Sequence, residues 1–138
     1  MARSAQIDVA VRFSETDLMG VAHHAAWVTW LEMGRLTLID GSGLPYTEIA
    51  RTHHLTVVSV SLRIRRPLVF GDVARITTVL DKVGSRKVCF AYELHHRDSG
   101  VLVGTGATEH VCVDLEGRSS RLPDRVVAAL RREPAPPR

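Results

Sequence analysis

From Leu55 to Leu115 the hydrophobic residues recur with a period of two, and the pieces that carry this period are joined by very short connections. VVSVSLRIRR sets Val58, Val60, Leu62 and Ile64 on one face and Ser59, Ser61, Arg63 and Arg65 on the other. That is the alternation of a half-buried strand. RPLVFGD breaks the run, since Pro67 and Gly71 are poor strand-interior residues. VARITTVLDKV, KVCFAYELHHRD and VLVGTGATEHVCVDL follow as further strands, joined through GSR and SG. Links this short make hairpins, whereas parallel strands need crossovers of a dozen residues or more. The second half of the chain is therefore an antiparallel sheet.

The first half supplies what the sheet covers. QIDVAVRF alternates Ile7, Val9, Val11 and Phe13 against polar or small partners, a first strand. AAWVTWLEMGRLTLID then carries Trp27, Trp30, Leu31, Gly34 and Leu38 at helical spacing, with Val28, Met33, Leu36 and Ile39 spreading apolar character around the axis. A helix apolar on most sides is expected to be buried on most sides. DGSGLP stops it with glycines and a proline. YTEIARTHH reads as a short second helix or helical turn, and LPDRVVAALRR as a short surface helix. Wrapping a curved sheet around the long helix gives an α+β architecture of about five strands.

At 138 residues the chain is long enough for one core and too short for two. Residues 1–132 are expected to form one domain, and EPAPPR (133–138), whose prolines cannot join a core, a mobile tail. Lys and Arg exceed Asp and Glu by 18 to 15, an excess too mild for a nucleic-acid surface and adequate for an anionic small ligand. No apolar run approaches the roughly 18 residues of a membrane span. The start MARSAQIDV lacks a signal-peptide core. Cys89 and Cys112 lack CxxC spacing and read as packed thiols in a reducing compartment. A soluble cytoplasmic protein is expected. His23–His24, His53–His54 and His95–His96 suggest a metal at first sight, but neighbours on a strand point to opposite faces and no metal motif accompanies them. No metal is expected.

SETDLMGVAHHAAW, leading into the long helix, is the segment least explained by folding alone. With its flanks, VRFSETDLMGVAHHAAWVTWLEMGR resembles the opening of hot-dog-fold thioesterases of the 4-hydroxybenzoyl-CoA thioesterase type and of the related Tol-Pal-associated acyl-CoA thioesterases. The shared features are a strand ending in an aromatic, an acidic turn, a glycine, a histidine or aromatic pair, and an acid on the helix. RPLVFGD looks like the family's link between its second and third strands, so the resemblance spans roughly residues 7–115.

The resemblance implies a hot-dog fold and an acyl-CoA thioesterase with no cofactor, coenzyme A being part of the substrate. It also implies a homodimer or homotetramer whose sheets pair edge to edge, with the site between subunits. Asp17 becomes the general base or nucleophile, and His24 a residue lining the site. Backbone N–H groups of His24 and Ala25 become the oxyanion donors, since a helix N-terminus leaves such donors unpaired and adds its dipole. Each has a plainer alternative: Asp17 as a turn or capping residue, His24 bonded to nearby backbone. Glu32 matches a position that contacts the substrate's hydroxyl in the hydroxybenzoyl branch, or else pairs with Arg35 or Arg12. Arg86 and Lys87 match the basic hairpin that grips the nucleotide, while Arg65 and Arg66 read as ordinary solvated charge. His23 stands where relatives often carry tyrosine or tryptophan. Other functions compatible with this reading are a thioesterase for acyl carrier protein, a non-catalytic acyl-CoA binder, and a hydratase, which lacks its paired Asp/His motif here.

Overall fold

The computed structural model describes residues 3–132; the tail at 133–138 lies outside them. Five strands, β1 (Ser4–Ala10), β2 (His53–Ile64), β3 (Val73–Val83), β4 (Lys87–His96) and β5 (Leu102–Asp114), form one sheet in the order β1-β3-β4-β5-β2. All four pairings are antiparallel. The helices are α1 (His24–Asp40), the single turn α2 (Tyr46–Ile49) and α3 (Asp124–Arg131). The architecture is the expected α+β one.

α1 lies on the inner face of the sheet, where small residues admit it. A Cβ on Gly104 would stand 2.7 Å from the Trp27 ring, and one on Gly106 would stand 3.1 Å from Leu31. One on Gly34 would collide with Thr78. Trp27, Trp30, Leu31, Leu38 and Ile39 fill the resulting core with Ile76, Phe90 and Leu94. Each such side chain contributes about 1.5–3 kcal/mol by leaving water. α3 packs against β3 and buries Val126, Ala129 and Leu130. Cys89 and Cys112 are buried free thiols, as expected.

Three expectations are corrected. α1 is buried along one side only: Val28 (37% exposed) and Met33 (43%) face outward with Glu32. Phe13 does not extend the first strand. β1 ends at Ala10, Phe13–Glu15 is a 3-10 turn, and Phe13 lies exposed, edge-on to Phe70 with ring centroids 5.9 Å apart. The apolar face of β2 also stays open. A bulge at Val58 switches the inward positions from Leu55 and Val57 to Val60, Leu62 and Ile64, opposite Thr108, Gly106 and Gly104. The inward residues face the helix layer, yet Val57, Val60 and Ile64 remain 41–45% exposed, as does Val58 in the bulge at 53%. The reason is position: β2 is the sheet edge, and α1 covers it only in part.

Candidate active site

The acidic turn is sewn between the helix start and the β2–β3 link. Asp17 N–H donates to Val21 O at 3.0 Å, Thr16 bridges Ala22, and Gly20 closes the turn with φ of 78°, a value that favours glycine. Ala22 N–H donates to Leu68 O at 2.7 Å and Val21 bridges Val69. Within the turn Asp17 Oδ1 accepts the Met19 N–H at 2.8 Å, an Asx-type bond. No described residue donates to Asp17 Oδ2. Asp17 is half-buried, while Leu18 and Met19 at the tip are exposed.

Glu15 anchors this turn. Its Oε1 accepts the Arg12 N–H at 2.8 Å and its Oε2 accepts the Trp30 indole N–H at 3.1 Å. Its carbonyl accepts the His23 N–H at 2.7 Å. Burial alone would raise the Glu15 carboxyl; hydrogen bonds from the Arg12 backbone, the Arg12 guanidinium and Trp30 outweigh it and hold the group below its ordinary value. Sequence reasoning alone misses Glu15. The signal available is its spacing of three from Arg12 ahead of a turn, the capping-box interval.

His23 is the N-cap of α1. Its Nδ1 accepts the Ala25 N–H at 3.0 Å, and the ring stacks on His24 at 4.2 Å. Of the two expected oxyanion donors, Ala25 N–H is thus occupied. His24 N–H has no acceptor among the described residues and sits at the positive end of the helix dipole.

Two hollows flank the open side of α1. A groove of about 470 Å³ at its start is lined by His24, Trp27, Ile64, Arg65 and Arg66, together with Val21 and Ala22. A smaller cavity of about 180 Å³, further along the helix, is lined by Glu32, Arg35, Tyr46, Phe90 and His110. Glu32 forms no ion pair among the described residues, with Arg35 or with Arg12, which binds Glu15. Behind this cavity Tyr92 OH, Thr108 Oγ1 and His110 Nε2 form a buried chain at 2.6 and 2.9 Å. Burial first, and the Arg35 charge second, push His110 down to about 4, so it is neutral at physiological pH.

The structure does not bring Arg86 and Lys87 to this site within one chain. Lys87 stands opposite Val111, seven positions along β5 from the Gly104 that underlies Trp27. At about 3.4 Å per residue the separation is about 24 Å. Lys87 is also 3.3 Å from Glu109, and Arg86 donates to Ser119 Oγ. The basic residues beside His24 are instead Arg65 and Arg66, read from sequence as solvated charge. Parity along a strand cannot show that the strand ends beside a helix start.

A curved antiparallel sheet holding one long helix, with a groove at the helix N-terminus, is the hot-dog architecture. The sequence profile of the Thioesterase-like superfamily matches residues 11–130. YneP of Bacillus subtilis, to which acyl-CoA thioesterase activity is ascribed, is 31% identical over 110 residues, 79% of each chain. The 1,4-dihydroxy-2-naphthoyl-CoA hydrolase of Nostoc punctiforme is 31% identical over 129 residues, 87% of this chain and 82% of its own. The crystal structure of a hypothetical protein of Thermus thermophilus, TT1821, superposes with a TM-score of 0.85 at 35% identity, covering 92% of this chain and 95% of its own. The chain belongs to the Thioesterase-like superfamily and is a thioester hydrolase of the hot-dog fold. Among the described residues no helix is long and apolar enough to cross a membrane.

Proposed function

We propose that this enzyme hydrolyses an aryl or short-to-medium acyl-CoA to the free acid and CoA, with Asp17 at the reacting carbonyl and the His24 N–H as oxyanion donor. The observation that carries this reading is the His24 N–H at the start of α1, without an acceptor among the described residues, three residues beyond Val21, whose carbonyl accepts the Asp17 N–H. Polarised by that donor, the thioester carbonyl accepts either a water deprotonated by Asp17 or the Asp17 carboxylate itself. In the first route the tetrahedral intermediate expels the CoA thiolate, which takes up the proton. In the second a mixed anhydride forms as the thiolate leaves, and water then cleaves it. Glu32, which lines the smaller cavity and has no ion-pair partner among the described residues, is the side chain we assign to meet a polar acyl group.

The working unit of this reading is a homodimer, alone or paired into a homotetramer. A 12-residue edge strand with an open apolar inner face is a pairing surface that soluble proteins rarely leave bare. Pairing β2 with a second copy would cover Val60 and add the second copy as a wall of the groove beside His24, leaving its interior for substrate. A monodisperse monomer at micromolar concentration would remove this part. Buried free thiols suit a reducing compartment, and we assign the protein to the cytoplasm.

The test is thiol release from a panel of aromatic and aliphatic acyl-CoAs by wild type and Asp17→Asn. Asparagine keeps the oxygen that accepts the Met19 N–H, so the turn survives and the variant isolates the chemistry. A loss in kcat on the order of 10²-fold or more is expected. Undiminished hydrolysis by the variant removes Asp17 from catalysis, and a folded wild type inert toward every CoA ester removes the reading.

A further inference from the structure

We infer that Arg65 and Arg66 bind the phosphates of the substrate's CoA moiety, and that the groove between them and His24 carries the pantetheine arm. This rests on the acyl-CoA reading above and adds a phosphate site to it. The two arginines and His24 line one groove. Trp27, Ile64 and Ala22 give it apolar walls, and no acidic side chain among the described residues lines it. An arm of methylenes and amides with a thioester at one end and phosphates at the other needs an apolar wall, an N–H donor and cations, and this groove contains all three.

The arginines are free for this use and their backbone is fixed. Neither side chain has a partner among the described residues, whereas Arg12, Arg51, Arg75, Lys87 and Arg97 each stand against a carboxylate. The backbone N–H groups of Arg65 and Arg66 both donate to Val103 O, at 2.8 and 3.2 Å, and Pro67 stiffens the chain directly after them. Guanidinium groups bind phosphate oxygens through two parallel N–H bonds, geometry that lysine lacks. Both side chains are solvent-exposed, so their hold on phosphate weakens with salt.

The experiment compares acyl-CoA with the same acyl group on pantetheine, which keeps the thioester and the arm but has no phosphate. For Arg65→Gln with Arg66→Gln, the KM for acyl-CoA is expected to rise roughly ten-fold at low salt with kcat unchanged. The kinetics with acyl-pantetheine should not move. An unchanged KM for acyl-CoA, or an equal loss with acyl-pantetheine, overturns the inference. So does transfer of the ten-fold effect to Arg86→Ala with Lys87→Ala, which would return the phosphates to the hairpin. A double variant impaired only toward an acyl carrier protein substrate overturns the commitment to CoA. Calorimetric binding of CoA itself separates this inference from the catalytic reading. CoA bound by wild type and lost in the double variant, without turnover, upholds the phosphate site while the hydrolase reading fails.

Discussion

Glu15 is the side chain whose removal tests most directly how the site is held. Two fixed donors, Arg12 N–H and the indole N–H of fully buried Trp30, bond one carboxylate oxygen each, and the exposed Arg12 guanidinium adds a 3.5 Å bond to Oε2. Glutamine has one acceptor oxygen and, in place of the other, an NH₂ that would face a donor. Glu15→Gln should therefore leave one donor unsatisfied and cost about 1–3 kcal/mol; Glu15→Ala strands both and should cost about 2–4 kcal/mol. In a domain of this size that lowers Tm by about 4 °C per kcal/mol. Urea unfolding followed by circular dichroism measures the loss. A cycle with Trp30→Phe should show coupling of about 1 kcal/mol between the partners. The carboxyl is held below its ordinary value of 4.5, so its contribution is present above that pH and is lost as pH falls through the lower folded value. Glu15→Gln should lack that acid limb. A Glu15→Gln protein within about 0.5 kcal/mol of wild type, the range of an ordinary surface change, would refute the argument.

The other predictions concern single contacts. His110 is held neutral down to about 4 against an ordinary 6.5, so the unfolded chain binds the extra proton between those values. Stability should fall by about 3 kcal/mol as pH drops from 6.5 to 4, and His110→Gln should flatten that window in pH-dependent melts. For His23, asparagine carries its acceptor where Nδ1 stands and glutamine where Nε2 stands. His23→Asn should keep the cap and near wild-type kcat while His23→Gln loses about 1 kcal/mol of stability and lowers kcat, because the bond to Ala25 uses Nδ1; equal behaviour of the two variants would dismiss the cap. Gly104→Ala puts a methyl 2.7 Å from the Trp27 ring and 2.9 Å from Arg63 O, neither free to move. A loss of about 1–3 kcal/mol in urea unfolding is expected.

The features legible in the sequence are local. β3 coincides with VARITTVLDKV, and β4 and β5 begin and end within two residues of their sequence segments. Strand parity and hairpin length are set by neighbouring residues, and the glycine that lets the acidic turn close is visible as a letter. The segment holding Asp17 and His24 is legible for the same reason: its acid, glycine and helix start are consecutive. Which surfaces meet is settled only when the chain folds. Only the order of strands makes β2 an edge and leaves Val60 and Ile64 open. Only the lie of α1 on the sheet seats Trp27 over Gly104, which sets Arg65 and Arg66 beside His24 and Arg86 and Lys87 about 24 Å away. Glu15 is opaque for a related reason, since the partner that explains it, Trp30, lies fifteen residues on and meets it only once the helix docks. Periodicity records which face of an element is apolar. It carries no record of which end of that element comes to rest beside another.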